Sequence, residues 1–311
     1  MNILITGASG FIGQALAKEV YKAGHSVTQS IHSQSSKCLD LGKVISVDFS
    51  GKFDLDEVLS DIDVVVHTAA RVHIMHDTEK DPLSAFLKVN TLGTLQIAKQ
   101  ASEANVKRFI FLSSIGVNGG SNSRPFLETN IANPRDDYSL SKYEAEKGLL
   151  EICKKSKMEL VIVRPPLVYG PGVKANFSSL INYATRGFPL PFGAVNNKRS
   201  LIALENLVSF ISCCLEHPKA ANETFLISDG EDVSTTDLLR KVAAAYGKKL
   251  ILFPISTGFM ASVAKLVGKK TVSDRVFGTL LIDNSKARGL LGWEPVITMD
   301  EQLKRIAKAE R

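Results

Sequence analysis

Apolar positions in the first half of the chain fall into short, nearly unbroken runs, and the stretches between them carry a helical period. The runs are Ile3–Thr6, Ser26–Ile31, Val44–Val47, Asp63–His67, Arg108–Ser113 and Leu160–Arg164. Three of them contain VVVH, FIFL and LVIV, with no polar alternate, as in strands covered on both faces. Helical spacing occupies Phe11–Ala23, Leu83–Ala104 and Tyr138–Lys155. Strand, helix and strand in repetition predict an α/β fold built on a doubly wound parallel sheet.

After about residue 165 the pattern changes. Pro165, Pro166, Pro171, Pro189 and Pro191 interrupt it, and shorter helices follow at Leu204–Glu216, Thr235–Tyr246 and Asp300–Ala309. The expected organisation is a nucleotide-binding domain over 1–170 and a smaller, mainly substrate-binding part over 171–311. Some of the later segments are expected to return to the main domain. No internal repeat is visible. The apolar stretch 258–268 holds Lys265 and falls short of the ~18 to 20 residues of a membrane span. It reads as a buried or partly buried helix.

Composition narrows the class of protein. A chain of 311 residues with 44% hydrophobic and 23% charged residues is globular and can bury a core without staples. Cys38, Cys153, Cys213 and Cys214 form no CxxC pair, so neither a metal site nor a disulfide framework is expected. With no signal-peptide pattern in MNILITGASG, a cytoplasmic setting is expected. The net charge of +6 is spread over the chain apart from pairs such as Lys248–Lys249 and Lys269–Lys270. No basic run is interleaved with aromatics, so nucleic acid is not an expected partner.

Residues 6–13 read TGASGFIG, directly after a strand and opening a helix. Gly7, Gly10 and Gly13, with Phe11 and Ile12, are therefore the candidate pyrophosphate cradle of a Rossmann-type fold. Glycine allows the close backbone approach, and the helix N-terminus supplies free N–H groups. An NAD site places an acid about 20 residues on, at the end of the second strand. Here no acid occurs between Lys22 and Leu39; His32, Ser33 and Lys37 stand in that stretch instead. The cofactor is thus NAD or NADP, with the balance toward NADP, although no arginine is present to clamp a 2′-phosphate. Asp48, beside Phe49, is a candidate for the adenine amino group or an ordinary strand-end cap.

Tyr138 and Lys142 are four apart in YSLSK and share a helix face. A lysine ammonium, together with an oxidised nicotinamide, favours the tyrosinate and makes Tyr138 a candidate acid/base. Ser113 and Ser114 end the run FIFL, where the carboxyl end of a parallel strand meets the ligand crevice. A serine there can hold the oxygen whose proton Tyr138 moves.

With these residues the chain resembles the extended short-chain dehydrogenases/reductases, the nucleotide-sugar epimerase/dehydratase family, over nearly its whole length. TGASGFIG is similar to the family's G-x-x-G-x-x-G. HTAA, with Thr68, Ala69 and Ala70, resembles the segment lining the cofactor, and VNTLGT places Asn90 in V-N-x-x-G-T. FLSSIGVNG resembles S-S-x-x-V-Y-G, which implies that Ser114 is catalytic and Ser113 lies at the cofactor. YSLSK implies catalytic roles for Tyr138 and Lys142, the latter also on the nicotinamide ribose. RPPLVYGPG brings Pro165 to the nicotinamide. The resemblance further implies substrate contacts from Asn176 in KANF, from Arg199 in KRSLIALENLV, and from Arg275 more loosely. DNSKARGLLGWEP matches the closing D-x-x-K-x-x-x-x-L-G-W-x-P.

Two positions depart from the pattern: Asn118 replaces the tyrosine of V-Y-G, and the acidic NAD signature is missing. These, with AARVHIM and GFPLPFGAVNNKRS, resemble a bacterial subgroup attached to O-antigen and capsule sugar synthesis. The implied reaction is hydride transfer at C4 of a UDP-hexose or UDP-HexNAc, as a 4-epimerase. The alternative is an NAD(P)H-dependent 4-keto reductase of a UDP-4-keto-6-deoxy-HexNAc. Ile115 and Gly116 cannot titrate, so 4,6-dehydration is not expected. A non-catalytic NAD(P)-sensing protein and a reductase of a flavonoid aldehyde or steroid remain open as other classes. The resemblance also implies a homodimer formed through Leu83–Ala104 and Tyr138–Lys155.

Overall fold

The computed structural model describes residues 1–33, 38–72, 81–173, 175–266 and 276–310. Seven strands form one sheet. They are β1 (Asn2–Thr6), β2 (Ser26–Ile31), β3 (Gly42–Ser46), β4 (Val64–His67), β5 (Arg108–Leu112), β6 (Glu159–Arg164) and β10 (Glu223–Leu226). Their spatial order is β10-β6-β5-β4-β1-β2-β3, and every pairing is parallel. All residues of β4 and β5 are buried, because helices cover both faces. The chain reverses direction across the sheet between β1 and β4, the place where such sheets open a ligand crevice.

On one face α1 (Phe11–Lys22) and α7 (Leu204–Glu216) pack over Ile3, Val64, Ile110 and Val161. On the other, α4 (Thr94–Glu103) and α5 (Asp137–Lys154) cover Leu4, Val65, Phe109 and Leu160. A third apolar cluster lies outside the sheet. It joins α6 (Ala175–Thr185), α8 (Thr235–Ala245) and the helix Met299–Ala309 through Phe177, Leu239 and Leu303. Thus α7 and β10, both beyond residue 171, sit in the layers of the main sheet.

The predicted strands and long helices form with shifts of a residue or two. The expected helix Leu83–Ala104 is not uniform. It runs as α3 (Pro82–Phe86), a π-helical segment Leu87–Gly93, and α4. Of the stretch 258–268, Thr257–Leu266 forms helix α9, and none of its described side chains is buried. No described helix is long and apolar enough to cross a membrane.

Candidate active site

The glycine loop is closed by contact rather than by side chains. Gly7 adopts φ +68°, and a Cβ there would lie 2.8 Å from the Ala69 backbone. A Cβ on Gly13 would lie 2.2 Å from the Gly7 carbonyl oxygen. Gly10 caps α1 without any side-chain hydrogen bond, which leaves the first-turn N–H groups of Phe11, Ile12 and Gly13 for a phosphate. The loop therefore fits a dinucleotide cofactor: its space is one that larger residues would fill.

The wall opposite the loop is tied to it by buried histidine. His67 bonds Thr6 Oγ1 through Nδ1 at 2.8 Å and Thr94 Oγ1 through Nε2 at 2.9 Å. The single hydroxyl proton of Thr94 goes to the Asn90 carbonyl, so Nε2 of His67 must be the protonated nitrogen. Burial, aided by the Lys142 charge, pushes His67 down to about 3, consistent with that neutral tautomer. Thr68 Oγ1 donates to the Thr6 carbonyl, and Ala69 N donates to Thr6 Oγ1. Ala70 follows at the half-buried rim.

Asn90 continues the wall toward the tyrosine. Its Oδ1 accepts from Arg71 N at 2.8 Å, and its Nδ2 donates to Arg71 O and to Ser141 Oγ. Both amide hydrogens are thereby committed within the protein. Ser141 Oγ in turn donates to the Tyr138 carbonyl at 2.7 Å. A chain of bonds thus links the glycine loop to the first turn of α5.

That first turn is set by Asp136, whose carboxylate caps the helix by accepting from Ser139 N at 2.8 Å. Tyr138 is half-buried, with its ring edge-on to Phe86 at 6.2 Å. Desolvation, with the Asp136 charge second, pushes its phenol up to about 12. Lys142 donates from Nζ to the Leu112 carbonyl at 2.9 Å and lies 4.6 Å from the Phe111 ring centre. Desolvation pushes it down to about 7, opposed by Glu146. The expectation that Lys142 favours the tyrosinate therefore finds no support from the chain alone. Each group, in low dielectric, disfavours its own charge.

The two strand-end serines differ. Ser113 Oγ is buried and donates to Glu146 Oε1 at 2.5 Å. Ser114 is half-buried, accepts from Gly116 N at 3.1 Å, and stands beside α5. The closeness shows at Gly116, whose Cβ would lie 2.2 Å from Ser139 Oγ and 3.3 Å from Ser114 Oγ. Pro165 is buried next door and its carbonyl accepts from Ile115 N.

Other predicted residues lie elsewhere. His32 and Asp48 are exposed at the ends of β2 and β3, with Nδ1 and Oδ1 3.9 Å apart. Hydrogen bonds from Ser50 hold Asp48 below the usual carboxylate range. The Phe49 ring is buried against Phe53 and His67. Arg199 is half-buried in the short strand Arg199–Ser200, with Nη1 3.4 Å from the Gly278 carbonyl. Asn176 lies in the first turn of α6. Its side chain, like Arg275 and Lys37, lies outside the described residues.

The residue that sequence reasoning missed is Glu146. It is 2% exposed and binds Arg164 through both carboxylate oxygens, at 2.9 and 2.5 Å, while Arg164 Nη1 donates to Asn118 Oδ1. Its position four residues beyond Lys142 was the available signal.

The model of the NAD dependent epimerase/dehydratase family matches residues 3–228. The chain belongs to that family. Among relatives of this family, UDP-glucose 4-epimerase of Vibrio cholerae is 45% identical over 99% of this chain and 95% of its own. N-acetyl-alpha-D-glucosaminyl-diphospho-ditrans,octacis-undecaprenol 4-epimerase of Escherichia coli O157:H7 is 29% identical over 86% and 82%. Among solved structures, UDP-glucuronic acid 4-epimerase from Bacillus cereus, in complex with UDP-glucuronic acid and NAD, superposes with TM-score 0.80. That structure is 25% identical and is covered to 98%, against 99% of this chain. The present protein is an enzyme of the extended short-chain dehydrogenase/reductase type.

Proposed function

We propose that the chain is a 4-epimerase of a UDP-hexose or UDP-HexNAc. The observation that carries this reading is the half-buried Ser114 beside the first turn of α5, with the Ser113 hydroxyl engaged by Glu146. Only one strand-end hydroxyl is then open to a substrate oxygen. The 45% relative is a UDP-glucose 4-epimerase by name, which supports the choice of substrate class.

Bound NAD supplies the hydride acceptor and donor at C4. Tyr138 exchanges a proton with the C4 oxygen, and Ser114 donates a hydrogen bond to the same atom. Lys142, one helical turn beyond Tyr138 and now bonded to the Leu112 carbonyl, would hold the cofactor ribose. The Lys142 ammonium, with an oxidised nicotinamide beside it, would bring the phenol down from its raised value. Asn176, Arg199 and Arg275 are proposed to hold the diphosphate. The Asp48 carboxylate beside His32 disfavours a 2′-phosphate by charge repulsion, a counterweight to the NADP preference read from the sequence. The protein is proposed to act in the cytoplasm.

A homodimer is proposed through α4 and α5. The two pack closely, since a Cβ on Gly148 would lie 2.5 Å from Leu95, and Leu92 and Leu150 are exposed on this layer. A monomeric mass by light scattering overturns it.

The test of function incubates the enzyme with UDP-glucose or UDP-GlcNAc, without added reductant, and reads C4 epimers by NMR. Interconversion is expected. Absence of epimers, with stoichiometric loss of NADPH on a UDP-4-keto-6-deoxy-HexNAc, assigns the 4-keto reductase instead.

A further inference from the structure

The acids of the chain are unevenly placed. Residues 173–203 contain Lys174, Arg186, Lys198 and Arg199 but no Asp or Glu. Residues 247–273 contain Lys248, Lys249, Lys265, Lys269 and Lys270, again without an acid. At the mean acid content of the chain, segments of this combined length would hold about six. The asymmetry lies in where acids are missing, which a search for basic runs overlooks.

The described parts of these two segments, 175–203 and 247–266, meet. Leu190 N donates to Ile251 O at 2.9 Å, Phe253 N to Leu190 O at 2.8 Å, and Gly193 N to Phe253 O at 2.8 Å. This irregular ribbon continues into α9 at Thr257, and its first segment begins a few residues after α6 ends at Thr185. Large apolar side chains are exposed along the ribbon and the two helices it joins. Phe188 is 68% exposed, Phe259 64% and Leu266 86%, and Tyr183, Ile251 and Phe253 are each at least half exposed. Every exposed phenylalanine among the described residues lies here. Arg186, Lys248, Lys249 and Lys265 are exposed in the same segments.

We infer that this face docks the protein on an anionic lipid bilayer. Large aromatic and aliphatic side chains left in water favour transfer to an apolar phase. Lys and Arg among them favour a surface of uniform negative charge, and no acid in either segment opposes it. An interface with another protein mixes both signs, whereas two adjoining segments that contribute no acid over this length are complementary to a lipid headgroup layer. The occupancy is peripheral: α9 has 10 residues, too few to span. The inference does not depend on which sugar the enzyme converts.

The test is co-sedimentation of the full chain with vesicles of phosphatidylcholine alone and of phosphatidylcholine with about one third phosphatidylglycerol. Binding is expected to the anionic vesicles, weakening as salt rises. The double variant Phe188→Ser/Phe259→Ser and the double variant Lys248→Glu/Lys249→Glu are each expected to lower the partition coefficient at least about tenfold. Both alter exposed side chains, and an unchanged thermal melt verifies the fold. Absence of sedimentation with anionic vesicles overturns the inference, as does equal binding by the wild type and both variants. Self-association without vesicles, abolished by the same substitutions, overturns it too, by showing that a second copy covers the face.

Discussion

Glu146 Oε1 accepts from both Ser113 Oγ and Arg164 Nε, so one buried carboxylate joins the end of β5 to the end of β6. The side chains of Arg164 and Glu146 are 10% and 3% exposed. Removing one charge from such a pair leaves the other uncompensated. Glu146→Gln is expected to lower the free energy of unfolding by about 3 to 5 kcal/mol. The check is the urea midpoint at constant m-value; a loss below about 1 kcal/mol shows that the pair is not what holds these strand ends.

Gly116 is where a small change reaches the candidate chemistry without unfolding the core. A Cβ at this position collides with Ser139 Oγ and presses on Ser114 Oγ. Because hydroxyls can rotate away, Gly116→Ala is expected to fold. The displaced Ser114 is expected to cost at least about tenfold in kcat, with little effect on the melt. Wild-type kcat in the variant would remove Ser114 from the reaction.

His67 makes stability depend on acid. Its folded-state value is pushed down to about 3, while an unfolded histidine titrates near ~6.5. Between those values the unfolded chain binds a proton that the native chain refuses, so stability falls as pH falls through that window. His67→Gln, which retains one donor and one acceptor, removes the titration. Its loss of stability between pH 7 and pH 4.5 is expected to be about 2 to 3 kcal/mol smaller than that of the wild type. Parallel denaturation curves at the two pH values measure it.

Lys142 acts at the other end of the scale. Its folded value is about 7, against ~10.4 unfolded. The unfolded chain holds the extra proton between these values, so stability climbs as pH rises from about 7 toward 10. Lys142→Met is expected to flatten that climb and to be more stable than the wild type at neutral pH. The same variant is expected to lose at least about a hundredfold in kcat. A variant with the wild-type pH slope shows that the Lys142 ammonium is solvated in the native protein.

The strands β4, β5 and β6 were legible because burial on both faces writes itself as unbroken apolar residues. β10 was not: ETFL is four residues, reached from β6 through a long excursion into the third apolar cluster. Tyr138 and Lys142 were legible as candidates because they stand four apart on one helix, and Ser114 because it follows an apolar strand run. Glu146 was not, since EAEK on a helix reads as solvated charge. Its burial is decided by Arg164, which belongs to the neighbouring strand β6. The bond from Arg71 N to Asn90 Oδ1 likewise exists only once the segment after β4 and the π-helical segment are packed together.

The wide turn at Leu87–Gly93 carries a consequence for how this sequence can vary in length. A π turn holds one residue more than the regular helix around it. Deleting a single residue there would restore a regular helix and leave α3 and α4 close to their present phase, because the wide turn is what absorbs the extra residue. Asn90 lies inside the widened turn, so it is the residue that would lose step with Ser141. A change of chain length at this turn is therefore felt at Asn90 rather than along the whole of α4, as slack is taken up in a single link.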